Sequence, residues 1–111
     1  MFSFLRRLGG PQIDVAELDA LLVQGTMRVL DVRDDTEFKS GHLPGAINVP
    51  MKRLPDRVGT LKRDKPWAVI CASGSRSRSA TDYLIEHGFE GAVSVRGGTY
   101  AWGHSGRPLV R

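Results

Sequence analysis

The sequence predicts a three-layer α/β domain built on a parallel sheet. Short apolar runs alternate with segments of helical periodicity along the chain, and most of these runs are uniformly apolar rather than alternating with polar residues. Strands of that kind are buried on both faces, so helices must cover both sides of the sheet. With 111 residues, the chain is long enough for one such domain around one core.

Local signals at the ends of the segments place the elements. Asp14 and Glu17 have the spacing of a capping box, so a helix is predicted to begin there and to stop near Gly25. The helical stretch 51–61 is expected to be irregular, because Pro55 cannot sit deep inside a helix. The other predicted elements are strands at 28–32, 46–49, 67–71 and 92–95, and helices at 34–40, 77–87 and 99–102.

The only cysteine, Cys71, lies where an apolar strand pattern meets a loop of small residues. Ligands of open α/β sheets bind at the carboxyl ends of strands, which is where this loop is expected. The residues between Cys71 and Arg76 are all small, so their backbone N–H groups can converge on an anion. A helix predicted from Ser77 adds the positive end of its dipole. The pattern therefore favours a reactive thiolate over the alternative, a small buried hydrophobe.

Two charged residues end a predicted strand at the same edge of the sheet. Asp31 and Arg33 are expected at the carboxyl edge of the sheet, beside the loop that follows Cys71, where they could orient that loop. The alternative is an ordinary solvated cluster with the acidic residues that follow, Asp34, Asp35 and Glu37. Position at the edge does not decide between these two interpretations.

No metal site is predicted from the histidines. His42 lies in a segment dense in turn-forming residues and is interpreted as a hydrogen-bonding turn residue rather than a general base. His87 and His104 have no metal-ligand spacing with each other or with Cys71. Trp102 follows a glycine turn into a short helix and is interpreted as a core residue.

The composition favours anionic ligands, which include small anions, acidic proteins and nucleic acid. The net charge is +4 and the pI is near 9.7, which steers anions toward the chain. Residues 73–79 alternate serine or glycine with arginine, but they lack the repetition or aromatic platforms of a nucleic-acid tract, so no nucleic-acid partner is predicted. No lysine follows Gly74, which excludes a P-loop.

The cysteine count bears on the cellular compartment. A single cysteine forms no internal disulfide, and a free thiol suits the reducing cytoplasm.

The sequence divides into a flexible basic N-terminal tail at residues 1–10 and a domain at residues 11–111. The tail has two arginines but no apolar segment of a signal sequence behind them. No stretch approaches the ~20 apolar residues of a membrane span, so no stable membrane insertion is expected. The tail itself could touch a membrane surface only weakly.

Four motifs in order resemble a single-domain rhodanese. They are residues 30–33, residues 41–50, the pattern Cys71-x-x-Gly74-x-Arg76-Ser77, and residues 97–102. The resemblance covers about residues 12 to 110. It implies a rhodanese-like domain with a five-stranded parallel sheet and helices on both faces.

The resemblance also implies thiosulfate sulfurtransferase activity. In this family the cysteine that matches Cys71 attacks the outer sulfur of thiosulfate, releases sulfite and holds a persulfide, which passes to cyanide, a thiol or a protein thiol. Asp31 and Arg33 would support the loop, and Arg78 is a local addition that would favour anionic donors. No cofactor is implied. The predicted substrate-binding residues are Ala72, Ser73, Gly74, Ser75 and Arg76.

Two other functions stay open. The same fold hosts phosphatases and arsenate reductases, whose loop is one residue longer. The four residues between Cys71 and Arg76 form a cradle better matched to a sulfur atom than to a tetrahedral phosphate. The other class is a non-enzymatic or carrier module that relays persulfide sulfur or docks a partner. Inactive relatives usually lack the cysteine, so Cys71 argues against a purely structural role.

Overall fold

A five-stranded parallel sheet organises residues 10–111, which are the residues that the computed structural model describes. Its order is β1-β5-β4-β2-β3, and every pair of neighbours is parallel. The predicted sheet is therefore confirmed. The predicted tail lies outside the described residues except for Gly10. The strands are β1 (Gln12–Ile13), β2 (Arg28–Asp31), β3 (Ile47–Asn48), β4 (Trp67–Ile70) and β5 (Val93–Val95).

Helices connect these strands. They are α1 (Val15–Gln24), α2 (Asp35–Ser40), α3 (Leu54–Arg57), α4 (Ser75–Glu86) and α5 (Gly98–His104). Two 3-10 turns, Met51–Arg53 and Val58–Thr60, flank α3, so this stretch is irregular as Pro55 predicts. Within residues 10–111, no helix is both long enough and apolar enough to cross a membrane.

The predicted capping box starts α1. The Glu17 N–H donates to Asp14 Oδ1 at 2.8 Å, and the Asp14 N–H donates to Glu17 Oε1 at 3.3 Å. The helix ends at Gly25, whose φ of 72° is the left-handed conformation that favours glycine. Both ends of α1 are therefore determined by residues that the sequence pattern identifies.

Apolar side chains fill both faces of the sheet. Successive residues of a strand point to opposite faces, so β4 contributes Val69 to one core cluster and Ala68 and Ile70 to the other. The first cluster includes Leu84 of α4. The second cluster packs α1 and α5 against the sheet, and it contains Leu18 and the buried Trp102, as predicted. The result is the three-layer arrangement.

Two elements differ from the predictions. Strand β1 is too short for a periodic pattern, and β5 holds it through hydrogen bonds from Ser94 N–H to Pro11 O and from Arg96 N–H to Ile13 O. Helix α4 begins at Ser75 rather than Ser77, because Gly74 adopts a φ of 115° and turns the chain directly into the helix. Arg76 therefore lies in the first turn of α4 and not in the loop.

Candidate active site

Cys71 follows directly after β4, which lies between β5 and β2 in the sheet. Helix α4 begins only four residues later, so residues 71–74 form a tight turn at the carboxyl edge of the sheet. This is the edge where parallel α/β sheets bind ligands. The predicted position of the cysteine between strand and helix is confirmed.

Hydrogen bonds converge on the sulfur of Cys71. The N–H groups of Gly74 and Ser77 donate to Sγ at 3.0 Å and 3.3 Å, and the Ser77 hydroxyl lies 3.5 Å from it. The side chain is fully buried. Burial raises the pKa of Cys71, but the hydrogen bonds from Ser77, Gly74 and Ser73 oppose it and leave the pKa below its ordinary value. The turn therefore favours a thiolate.

A buried pair of hydroxyls extends this network. Ser77 Oγ lies 2.7 Å from Ser94 Oγ on β5 and donates to the Gly74 carbonyl at 3.0 Å. Both serines are almost completely buried. The sequence patterns place Ser77 at a helix start and in one of the four family motifs, and Ser94 in a strand, but they assign neither serine to the site. The available signal was a serine between two valines in an otherwise apolar strand.

The start of α5 fixes the shape of the turn. The Thr99 N–H donates to the Cys71 carbonyl at 2.9 Å, and the Tyr100 N–H donates to the Ala72 carbonyl at 3.1 Å. Gly98 has a φ of +59°, and a Cβ there would lie 2.5 Å from the Ala72 oxygen and collide with the Cys71 oxygen. Only glycine allows this approach, which explains the glycine directly before Thr99.

Arg76 points to α2, where Glu37 binds it. The guanidinium donates to the two carboxylate oxygens of Glu37 at 2.7 Å and 3.0 Å. Hydrogen bonding by Arg76 lowers the pKa of Glu37 to about 2. Glu37 also belongs to the capping box of α2, since it exchanges hydrogen bonds with Asp34. The interpretation of Glu37 as one of several solvated charges is wrong, because the carboxylate anchors the arginine beside the cysteine.

Asp31 and Arg33 form a buried ion pair rather than a solvated cluster. Asp31 is fully buried and Arg33 is 6% exposed. Arg33 donates to both Asp31 oxygens, with Nη2 at 2.8 Å from Oδ2, and Nη2 also donates to the Gly41 carbonyl at 2.7 Å. Their side chains make no hydrogen bond to residues 71–76 within the described structure. Support of the loop by this pair stays a prediction.

The remaining predicted residues line the outside of the turn. Ala72 is half-buried, whereas Ser73, Ser75 and Arg78 are exposed. Ser73, Gly74, Ser75 and Arg78 form part of a cleft of about 250 Å³ beside the turn. The structure thus brings Ser73, Gly74, Ser75 and Arg78 together at the cleft, whereas Ala72 and Arg76 do not line it.

His42 does not belong to this site. Its Nδ1 lies 2.7 Å from the Phe38 carbonyl, its ring stacks on Phe38, and its main chain pairs with Val110. The predicted hydrogen bonding of His42 is confirmed, but the residue lies in an isolated β-bridge, and the turn itself is formed by Pro44 and Gly45. Among residues 10–111, no group of three or more His, Cys, Asp and Glu side chains could hold a metal ion.

Comparison with known proteins identifies the family. The family described as the rhodanese-like domain has a sequence model that matches residues 14–105. The chain belongs to this family. A sulfurtransferase of Allochromatium vinosum is 34% identical over 82 residues, which are 74% of this chain and 77% of that protein. The thiosulfate sulfurtransferase GlpE of Shewanella oneidensis is 33% identical over 90 residues, 81% of this chain and 89% of GlpE.

A solved structure agrees with the rhodanese-like fold. The crystal structure of a rhodanese-related protein from Thermoplasma volcanium superposes with a TM-score of 0.84 at 37% identity. The match covers 90% of this chain and 97% of that one. The five-stranded parallel fold implied by the four sequence motifs is therefore confirmed.

Proposed function

We propose that this rhodanese-like protein is a thiosulfate sulfurtransferase in which Cys71 carries the transferred sulfur. The observation that carries the proposal is the convergence of the Gly74 and Ser77 N–H groups on Cys71 Sγ, at 3.0 Å and 3.3 Å. These donors lower the pKa of Cys71, although burial opposes them. Sulfur transfer requires a thiolate and no separate general base, so this site has the group that the chemistry needs.

In the first step the Cys71 thiolate attacks the outer sulfur of thiosulfate. A bond forms between the two sulfur atoms, the sulfur–sulfur bond of thiosulfate breaks, and its electron pair leaves with sulfite. The enzyme retains a persulfide anion. The charge is the same on both sides, so the backbone donors that hold the thiolate also suit the persulfide.

In the second step an acceptor thiolate or cyanide attacks the outer sulfur of the persulfide. The bond between the two persulfide sulfurs breaks, and its electron pair returns to Cys71 as a thiolate. The acceptor leaves as a persulfide or as thiocyanate. No external oxidant or reductant is required.

The loop would bind the donor through its backbone. In this proposal the incoming sulfur is surrounded by five consecutive residues, Ala72, Ser73, Gly74, Ser75 and Arg76. Arg76 contributes shape more than free charge, since Glu37 neutralises it through two hydrogen bonds. Arg78 adds an exposed positive charge beside the loop. Asp31 and Arg33 would act by holding the end of β2, next to β4, in place.

Two alternatives are less well supported. A phosphatase needs room for three equatorial oxygens around its nucleophile, whereas only four residues separate Cys71 from Arg76 here, which is a cradle better matched to a single sulfur atom. A carrier module without donor chemistry would not need a cysteine with a lowered pKa. A protein thiol as acceptor is compatible with the proposed reaction. The buried free thiol suits a reducing compartment, so we expect the protein to act in the cytoplasm.

The proposal is tested with the variant Cys71→Ser. We expect the wild type to convert thiosulfate and cyanide to thiocyanate and sulfite, and the variant to lose the activity entirely, because the turn does not ionise a hydroxyl. Circular dichroism and thermal unfolding would show that the variant is folded. Substantial activity in the folded variant would contradict the covalent role of Cys71. Efficient hydrolysis of aryl phosphates by the wild type would favour the phosphatase.

A further inference from the structure

We propose that the cleft beside the Cys71 turn binds the anionic end of the sulfur acceptor, a small thiol that carries a carboxylate. The proposal rests on the sulfurtransferase function proposed above. We call this cleft the arginine cleft, because Arg78 of α4 and Arg96, which follows β5, supply its charge. Its wall includes the turn residues Ser73, Gly74 and Ser75.

The two arginines of the cleft have unneutralised charge. Both side chains are exposed, and within residues 10–111 neither forms an ion pair with a carboxylate. Asp82 lies one helical turn after Arg78 but forms no ion pair with it. Arg96 donates from Nε to Gln12 Oε1 at 3.2 Å, which orients the guanidinium without neutralising it. Arg76, in contrast, is neutralised by Glu37. An anion near the turn is therefore attracted by the cleft more than by Arg76.

The arginine cleft lies next to the reacting sulfur. Gly74 lines the cleft, and its N–H donates to Cys71 Sγ at 3.0 Å. The cleft and the sulfur therefore lie on either side of the same residue. A persulfide places its outer sulfur about 2 Å beyond Sγ, since that is the length of a sulfur–sulfur bond. The acceptor attacks this outer sulfur, so it need not reach the buried Sγ itself.

The size of the cleft selects a short acceptor. Its volume of about 250 Å³ is below the roughly 300 to 1,000 Å³ of pockets that enclose drug-sized ligands. A carboxylate that binds the arginines, joined to a thiol by a short linker, fits this space. Serine hydroxyls from Ser73 and Ser75 supply further hydrogen-bond donors at the wall. The cleft therefore favours a small mercaptocarboxylate over a larger neutral thiol.

Bound in this way, the acceptor thiolate attacks the outer sulfur of the persulfide. Its sulfur forms a bond to the outer sulfur, the bond to Cys71 breaks, and the electron pair returns to Sγ. The carboxylate does not react. Its binding to the arginines holds the acceptor in the cleft with the thiolate near the persulfide. The carboxylate therefore lowers the KM for the acceptor more than it raises kcat.

The test uses three thiols of similar size and different charge: mercaptoacetate, mercaptoethanol and cysteamine. Release of sulfite from thiosulfate in a single turnover first establishes that the persulfide forms. Each acceptor is then compared between the wild type and the double variant Arg78→Gln/Arg96→Gln, so that the intrinsic reactivity of each thiol cancels. Lys62→Gln/Lys65→Gln is the matched control, because it removes two exposed charges before β4, at the opposite end of that strand from Cys71.

We expect the cleft variant to lose about three- to tenfold in kcat/KM with mercaptoacetate, mainly through KM, as exposed charge pairs contribute modestly. The ratio of kcat/KM for mercaptoacetate to that for mercaptoethanol should fall by a similar factor, because any effect of Arg78 on the donor step is common to both thiols. The fall should shrink at high salt, and the control should behave as the wild type. An equal loss of kcat/KM for all three thiols, or no loss for mercaptoacetate, would overturn the proposed role of the arginine cleft. Sulfite release in the same experiment would still support the sulfurtransferase. Absence of sulfite release would overturn both.

Discussion

At the scale of single residues, the state of Cys71 depends on a few donors that offset its burial. The fully buried sulfur receives the N–H groups of Gly74 and Ser77, and the Ser77 hydroxyl lies within reach. The hydroxyl is itself held by Ser94. Because a buried thiolate without donors would be strongly disfavoured, these hydrogen bonds decide whether the nucleophile is ionised.

Removal of the Ser77 hydroxyl tests this balance. Ser77→Ala removes the hydroxyl that lies 3.5 Å from Cys71 Sγ and lowers the pKa of Cys71, while the backbone N–H remains, so this pKa should rise toward its value in the unfolded chain. The rate of alkylation by iodoacetamide, followed against pH, measures this pKa. Cys71 is the only cysteine, so the same assay in denaturant supplies the reference. A wild-type pKa at or above that reference would contradict a thiolate-stabilising turn.

The Glu37–Arg76 pair predicts a dependence of stability on acid. Arg76 lowers the pKa of Glu37 from 4.5 to about 2, so the ionised carboxylate stabilises the folded state. That contribution is fully present above the ordinary pKa and is lost as the pH falls from 4.5 toward about 2.

Urea unfolding across this range measures the effect. As the pH falls, the free energy of unfolding should decline less steeply for Glu37→Gln than for the wild type. The difference between the two proteins should be about 1 kcal/mol or less, since the pair is partly exposed. Parallel curves for the two proteins would show that the pair does not form in solution.

At the scale of elements, the active turn depends on the close approach of α5. Gly98 allows the N–H groups of Thr99 and Tyr100 to reach the carbonyls of Cys71 and Ala72. Gly98→Ala should destabilise the fold and displace the turn, because a Cβ would collide with both carbonyl oxygens.

Gly106→Ala is the matched control for Gly98→Ala. Gly106 also has a positive φ, +85°, but a Cβ there meets nothing within 4 Å. Both variants carry the cost of the left-handed conformation, and only Gly98→Ala adds the collision. We expect Gly98→Ala to lose at least about 1 kcal/mol more in urea unfolding and to lose more sulfur transfer. Equal losses would mean that the approach of α5 does not shape the turn.

The sequence predicts the elements that local patterns determine. The capping box at Asp14 and the apolar runs of β2 and β4 are such patterns, and they are confirmed. Strand β1 has two residues, and its pairing with β5 rather than its own pattern makes it a strand. The start of α4 depends on the conformation of one residue, Gly74, which the pattern of its neighbours does not specify.

At the scale of the whole molecule, the parts of the site that the sequence did not predict come from distant segments. Glu37 and Arg76 are 39 positions apart, and Ser77 and Ser94 are 17 apart. No local pattern signals either pair, because each forms only when the sheet and helices assemble. Cys71 was predictable because the strand, the turn and the helix that position it are consecutive in the chain.

The whole chain also makes the central claim simple to test. With one cysteine, any sulfur that the protein holds covalently as a persulfide must be on Cys71. Mass spectrometry of the intact protein after thiosulfate treatment measures this directly, with Cys71→Ser as the control. We expect the wild type to gain the mass of one sulfur atom, to lose it on reduction or on addition of cyanide, and the variant to gain none. An unchanged mass in the wild type, with sulfite absent from the solution, would contradict the persulfide mechanism.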